Sequence, residues 1–322
     1  MRIDLDRRRF LATLGLAGGA LALRGTTSSF ARPIKTGPPL PESAVLGIHR
    51  ELPRLGFGGY PIVRLPDDEG VAVVRRALDL GVRYFDTAPS YGAGKSERLI
   101  GRAIRESGID RSELFVATKT LRRDGAGARR ELDESLERLD LDFVDCVQAH
   151  EVHDDWRSLF EADGVIAALE RARDDGRLRH IGITGHRNPE YLIKAIERYD
   201  GFATALVPVN PLDTKYLSFT KSFLPVALAR GIGVVAMKVY GGGSLLSGDR
   251  FKARELLQYA LSQPGVSIAV PGCDAIWQVD AAHGAVIGMT EPLSAERLAE
   301  LEERAGEHEG RKSEWYKEDR DG

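Results

Sequence analysis

Eight short apolar runs punctuate the chain from residue 54 onward: RLGFGGY (54–60), VRYFDT (82–87), LFVATK (114–119), FVDCVQAH (143–150), LRHIGIT (178–184), TALVPVN (204–210), GVVAMK (233–238) and VSIAVPG (266–272). Each is bounded by turn or charged residues and has the length of a buried strand rather than a helix. Between them the spacing changes. Val71, Val74, Ala77 and Leu78 recur at i, i+3, i+6 and i+7, and Leu132, Leu136 and Leu139 at i, i+4 and i+7, each set marking one face of a helix. After the fifth run, Asn188-Pro189 supplies a helix cap followed by a favoured first-turn proline. Strands alternating with helices predict a parallel α/β sheet, and eight is the number that closes a (β/α)8 TIM barrel. No low-complexity linker interrupts residues 50–305, so the pattern predicts a single domain there.

The two ends read differently. Residues 1–31 begin with Arg7, Arg8 and Arg9, continue through an apolar run from Phe10 to Leu23, and close on a polar stretch ending Ser29-Phe30-Ala31. That is the layout of a secretory signal, with cleavage expected after Ala31. A basic tail alone would not need the apolar run. Gly15, Gly18 and Gly19 break that run, and it is shorter than the roughly 20 residues a bilayer requires, so no stable membrane span is expected. The stretch DRRRFLA resembles a twin-arginine export signal, with Asp6 in the usual Ser/Thr place. The resemblance implies a partner in the twin-arginine export machinery and a periplasmic or otherwise extracytoplasmic location. Residues 32–49 are Pro-rich and read as a loose leader. The tail, 306–322, is charged and aperiodic, which predicts fraying; the other reading folds Trp315 and Tyr316 over the barrel mouth as a lid.

Composition narrows the partners. With 322 residues, 43% hydrophobic and 29% charged positions and a net charge of −3, the chain carries no basic stripe of the kind that tracks phosphates, so nucleic acid is not an expected partner. Two cysteines, Cys146 and Cys273, do not make a disulfide framework. They are expected on opposite sides of the barrel as free thiols.

A barrel of this kind builds its site at the C-terminal ends of its strands. The second run ends at Asp86, with Tyr91 in the loop that follows; the third ends at Lys119; the fourth ends at His150. Taken singly, Asp86 and Lys119 read as a structural ion pair, His150 as a core histidine and Tyr91 as a loop aromatic. Taken together on three adjacent strand ends they read as a site. Hydride reduction of a carbonyl leaves negative charge on oxygen, so a proton donor must stand within hydrogen-bond reach. Tyr91 fits that role. A nearby Lys119 ammonium favours the phenolate, Asp86 keeps the ammonium paired, and His150 orients the carbonyl and its developing oxyanion. Hydride must come from a cofactor. HEVHDD (150–155) offers a loose His-x-x-His spacing for zinc, but no third ligand motif stands elsewhere, so no metal is expected.

These motifs, FDTAPSYG (85–92), ATKT (117–120), DCVQAH (145–150), GITGH (182–186) and PG (271–272), resemble the aldo/keto reductase family over roughly 50–305. The resemblance implies a catalytic tetrad of Asp86, Tyr91, Lys119 and His150, a small-molecule carbonyl substrate and a nicotinamide cofactor. It places Asp86, Thr184, Gly185 and Asn210 on one side of that cofactor. Lys238 would pair with its phosphate, Gly241, Gly242 and Gly243 would let the backbone approach its pyrophosphate, Tyr240 would stack on the nicotinamide, and Pro271, Gly272 and Cys273 are further cofactor contacts. A glycine triplet also suits a plain flexible turn; its place after the seventh run favours the phosphate reading. Two departures stand out. Thr184 and Gly185 replace the family's usual Ser-Asn, and VPGCDAIWQVDAA (270–282) lacks the basic residue that meets a 2′-phosphate, Asp274 adding the wrong sign. NADP(H) is the expectation from the family, with NAD(H) second. Tyr60, Trp156 and Trp315 are candidates for the substrate pocket. A second function class, an exported cofactor-binding sensor or partner subunit with negligible turnover, shares every one of these features except the need for Tyr91.

Overall fold

In the computed structural model, which describes residues 38–45, 47–306 and 314–317, the first two strands are β1 (Glu42–Val45) and β2 (Arg50–Pro53), an antiparallel hairpin. Eight parallel strands follow: β3 (Phe57–Gly58), β4 (Tyr84–Asp86), β5 (Phe115–Thr120), β6 (Val144–Ala149), β7 (Leu178–Thr184), β8 (Phe202–Pro208), β9 (Gly233–Met237) and β10 (Val266–Ala269). They pair in chain order, and the parallel bridges Leu55 to Ala269 and Gly58 to Gly272 bring the first beside the last. That closes the (β/α)8 barrel expected from the pattern. The expected first strand, 54–60, is the shortest of the eight.

Eight helices cross between or follow the barrel strands: α1 (Asp67–Asp79), α2 (Lys95–Ser107), α3 (Gly125–Leu139), α4 (Val165–Asp174), α5 (Pro189–Arg198), α6 (Leu224–Ala229), α7 (Ala253–Leu261) and α8 (Ile276–Ile287), with α9 (Ala295–Gly306) after them. Their periodic residues do what the spacing predicts. Val71, Val74, Ala77 and Leu78 of α1 and Leu132, Leu136 and Leu139 of α3 are all buried. Asn188 caps α5 by accepting from the Glu190 N–H, with Pro189 in the first turn. Helices α2 and α3 approach so closely at Gly101 that a Cβ there would stand 2.2 Å from the Leu139 carbonyl oxygen.

Both faces of the sheet are covered, which is why its strands read as nearly continuous apolar runs. The outer core lies between sheet and helices. The inner one fills the barrel with Tyr84, Phe115, Cys146, Leu206, Val235 and Ile268. Tyr84 stacks on Phe115 with ring centroids 5.1 Å apart.

The hairpin corrects one expectation. The stretch 32–49, read as a loose leader, contains β1, and Val45, Ile48 and Leu52 of the hairpin pack into the inner core. Arg50 fastens it by donating to the Ser112 and Glu113 carbonyls at 2.9 Å, just before β5 begins. ESAV carries too few apolar positions to read as a strand alone; it becomes one because the open N-terminal end of the barrel exposes apolar side chains that must be covered. Replacing Leu52 by Ala removes a buried side chain from this floor and should cost about 2–5 kcal/mol of stability in urea unfolding, with the far end of the barrel left intact.

Candidate active site

The three strand ends converge as the pattern predicts. Lys119, on β5 and fully buried, donates from Nζ to Asp86 Oδ2 at 2.7 Å and to the Thr87 carbonyl at 2.7 Å. The other carboxylate oxygen of Asp86 accepts from Gln148 Nε2 at 3.0 Å. Tyr91 stands over this pair: its ring centroid is 4.6 Å from Lys119 Nζ and 6.2 Å from the His150 ring, which meets it edge-on.

The loop carrying Tyr91 is bolted down at its ends. The Thr87 hydroxyl donates to Ser96 Oγ, and that hydroxyl to the Gly59 carbonyl, both at 2.8 Å. Between them Gly92, Ala93 and Gly94 all adopt positive φ, a run of left-handed residues that turns the chain sharply into α2. His150 is fixed by its backbone, its N–H donating to the Thr120 carbonyl at 2.9 Å and its carbonyl accepting from Arg123 Nη2 at 2.9 Å.

Burial sets the protonation states. Burial drives the His150 pKa down to about 3, helped by the Lys119 charge, so the imidazole is neutral at physiological pH. Its Nδ1 is buried without a hydrogen-bond partner among the described residues. Burial also raises Asp86 and Tyr91 above their ordinary values, and Lys119 opposes both shifts. For Tyr91 this reverses the expected direction: the ammonium does favour the phenolate, but burial outweighs it. Burial alone would lower Lys119; the charges of Asp86 and Tyr91 carry it above its ordinary value.

The residues expected along a cofactor are more scattered in role. The Thr184 hydroxyl is committed to the Leu206 carbonyl at 2.7 Å, and a Cβ on Gly185 would stand 2.6 Å from Leu192 and 2.7 Å from the Val152 carbonyl. Asn210 is fully used: its Oδ1 accepts from the Leu212 and Asp213 N–H groups, and its Nδ2 donates to the Lys238 carbonyl and Tyr316 Oη. Tyr240 packs against the cluster of Leu212, Leu245 and Leu256. Pro271 gives its carbonyl to Gly58 in the barrel closure, Gly272 is exposed beside Pro61, and Cys273 is a buried free thiol, as is Cys146. Gly241, Gly242 and Gly243 take positive φ in succession, and among the described residues nothing lies within 4 Å of where a Gly243 Cβ would be. That is a cradle able to take an anion close to the backbone. Lys238 precedes it.

Part of the tail sits on this mouth. Residues 314–317 are docked where fraying was expected. The Lys317 ammonium pairs with Asp213 Oδ1 at 3.0 Å and Glu314 at 2.6 Å, all three buried. His186 Nδ1 donates to the Tyr316 carbonyl at 2.8 Å, and Trp315 and Tyr316 cover Lys238 Nζ at 4.7 and 5.5 Å from their ring centroids. Of the expected pocket aromatics, Tyr60 meets Tyr91 edge-on at 5.2 Å and Trp315 lies over Lys238. Trp156 instead packs against Phe160 in the outer layer. His153, Asp154 and Asp155 converge near the surface, with Asp155 held by Arg123.

The model of the aldo/keto reductase family matches residues 54–256. The chain belongs to that family. The reductase is 28% identical over 296 residues to L-galactose dehydrogenase of Arabidopsis thaliana, covering 77% of this chain and 89% of that one. It is 30% identical over 243 residues to D-threo-aldose 1-dehydrogenase of Pseudomonas sp, covering 65% and 71%. Among solved structures, an aldo-keto reductase of Bacillus halodurans in its holo form superposes with a TM-score of 0.69 at 24% identity, covering 82% of this chain and 96% of that one. An aldo-keto reductase of Klebsiella pneumoniae in complex with NADPH gives 0.66 at 22%, covering 82% and 95%. The reductase is therefore an NAD(P)H-dependent oxidoreductase.

Sequence reading of the reductase did not anticipate the bond from Gln148 to Asp86 or the pairing of Lys317 with Asp213. The first was accessible only as strand parity with His150; the second joins residues far apart in the chain. The neutral His150 gives a prediction about stability. Its pKa in the fold lies below the roughly 6.5 of an unfolded chain, so its contribution is present above pH 6.5 and is lost as pH falls toward 3. Between pH 7 and 5 this should remove about 2 kcal/mol of unfolding free energy. His150→Asn should abolish that part of the slope when urea unfolding is compared at the two pH values.

Proposed function

We propose that the reductase converts an aldehyde or ketone to an alcohol, with Tyr91 as the proton donor. What carries the reading is the Lys119 ammonium 4.6 Å from the centre of the Tyr91 ring, with neutral His150 edge-on to the same ring. The phenol stays protonated through the neutral range, so the donor is loaded when a carbonyl arrives. The carbonyl oxygen takes that proton, and the phenolate left behind faces Lys119, whose charge is the one element of the mouth that favours it. The imidazole of His150, with no charge of its own, orients the oxygen by hydrogen bonding. Solvent then returns the proton to Tyr91.

A bound nicotinamide would supply the hydride to the carbonyl carbon. The glycine cradle 241–243 fits the backbone approach its pyrophosphate needs, and Lys238, with a pKa lowered by burial, supplies a cation beside it. Family membership favours NADP(H). The segment 270–282 offers a 2′-phosphate no basic side chain, which keeps NAD(H) as the second choice. The sugar dehydrogenases among the relatives place aldoses and ketosugars in the substrate panel beside simple aldehydes and quinones.

Tyr91→Phe should lower kcat about 10²- to 10⁴-fold, followed as loss of reduced-nicotinamide absorbance with NADPH and NADH in parallel. Folding and cofactor affinity should persist. A wild-type protein that binds cofactor yet turns over none of the panel supports the sensor reading instead.

The twin-arginine layout of residues 1–31, which lie outside the described residues, supports export to an extracytoplasmic compartment. Because that route carries folded proteins and nicotinamides are not expected to be free outside, the cofactor is loaded before export and recycled by a second substrate. Mature protein recovered from the periplasm should release stoichiometric nicotinamide on denaturation, measured by chromatography of the extract; an empty extract rules this out.

A further inference from the structure

Gln148 lies on β6, in register with Lys119 of β5 on one side and Gly182 of β7 on the other, and is completely buried. It reaches past Lys119 to Asp86, two strands away. An ionised carboxylate only accepts hydrogen bonds, so the amide nitrogen must be the end that faces Asp86 Oδ1 at 3.0 Å. The space for this side chain is made by Gly182: a Cβ there would stand 3.0 Å from Gln148 Cγ and 2.9 Å from Cys146 Sγ.

The amide is held at a cost. Gln148 Oε1 is buried with no hydrogen-bond partner among the described residues, and an unpaired buried acceptor is destabilising. Methionine has nearly the same shape and would carry no unpaired acceptor of its own, so for packing alone it would serve better; what it could not supply is the donor to Asp86 Oδ1. A residue chosen for packing would therefore not be glutamine, and the side-chain bond that accounts for it is the one to Asp86.

We propose that Gln148 is a positioning residue for the proton donor: it holds the Asp86 carboxylate in the orientation that gives its other oxygen to Lys119, and so keeps the Lys119 ammonium against Tyr91. This rests on the reading of Tyr91 as donor. The groups that face Asp86 are Lys119 from β5, Tyr91 from its loop, Tyr84 from its own strand and Cys146 from β6. Burial keeps Tyr84 and Cys146 neutral, the thiol being pushed up to about 12, so among the described residues Lys119 is the opposite charge that acts on Asp86. Among the described residues Gln148 is the neutral side chain that hydrogen-bonds the carboxylate. Without it, burial acts on Asp86 with less opposition, the carboxylate takes a proton at higher pH, and Lys119 loses its counter-charge.

The test compares wild type with Gln148→Met, using Asp86→Asn to assign the infrared band of the protonated Asp86 carboxyl. In Gln148→Met that band should appear about one pH unit higher than in wild type. The acidic limb of the kcat profile should move up with it, lowering kcat about tenfold at the wild-type limb with KM for the carbonyl unchanged and with recovery at higher pH. The thermal midpoint should change little, the lost bond to Asp86 offsetting the removal of the unpaired Oε1. Gln148→Glu, of the same volume, places a second carboxylate against Asp86; it should shift the band in the same direction and further, and it decides the matter if the Met variant does not fold. Superimposable carboxyl titrations, or a fall in kcat and thermal midpoint together with no change in pH profile, would overturn the proposal. If Tyr91→Phe retains turnover, the donor assignment fails separately, because the infrared titration reads Asp86 without any turnover.

Discussion

Everything at the mouth of this barrel depends on one buried ion pair, Lys119 with Asp86 at 2.7 Å, whose side chains are 0% and 5% exposed. Taking two charges out of water costs several kcal/mol for each, and an apolar pair of similar volume is often as stable or more so. Such a pair is weak as a stability device. It persists here with every arm engaged: one carboxylate oxygen on Lys119, the other on Gln148, and the ammonium shared between Asp86, the Thr87 carbonyl and the face of Tyr91. Removing one member leaves the other buried and unpaired, so the constellation stands or falls as a unit.

The barrel makes this placement possible by layering. Register puts Lys119, Gln148 and Gly182 side by side on three successive strands, with Thr204 of β8 next. An apolar cluster of Tyr84, Phe115, Leu206, Val235 and Ile268 fills the barrel interior, and Val45, Ile48 and Leu52 of the hairpin pack into it. The polar layer is therefore buried. That is why burial outweighs the neighbouring Lys119 charge in setting the direction of the Tyr91 shift, while at His150 the two act together. A second buried carboxylate, Glu97 of α2, accepts from Thr118 Oγ1 and Arg138 Nε at 2.6 Å and ties the outer face of β5 to the helix that follows the Tyr91 loop.

Much of this was legible from sequence because it is local. The ends of the apolar runs put Asp86, Lys119 and His150 at strand ends, and helical spacing identified the faces of α1 and α3. What escaped is non-local. The strand ESAV has no pattern of its own and forms on a barrel floor that exists only after closure. The docking of Glu314, Tyr316 and Lys317 relies on Asp213, Asn210 and His186, about a hundred or more residues earlier, and charged residues near a terminus read as solvated until their partners are known. The direction of the Tyr91 shift escaped for a related reason: a neighbouring Lys can be inferred from spacing, whereas the degree of burial is a property of the assembled mouth. Thr184 and Asn210 show the same limit, since their polar atoms are engaged by backbone that only the fold brings near.

The charge balance of the mouth follows from these parts. Lys119 is neutralised by Asp86. His150 is neutral and Tyr91 retains its proton, so neither adds charge before reaction. Glu151, drawn down to about 2 chiefly by His186, is ionised at 3.8 Å from that ring, while Lys238 stands under Trp315 and Tyr316. A neutral carbonyl meets little field on entry. On the proposed reading of Tyr91 as donor, a proton leaving the phenol would put negative charge beside a Lys119 ammonium already held in place, so little reorganisation would be required as the charge moves. On that same reading the arrangement would favour the charge distribution of the reaction over that of the resting site, which is the condition for catalysis rather than for binding alone.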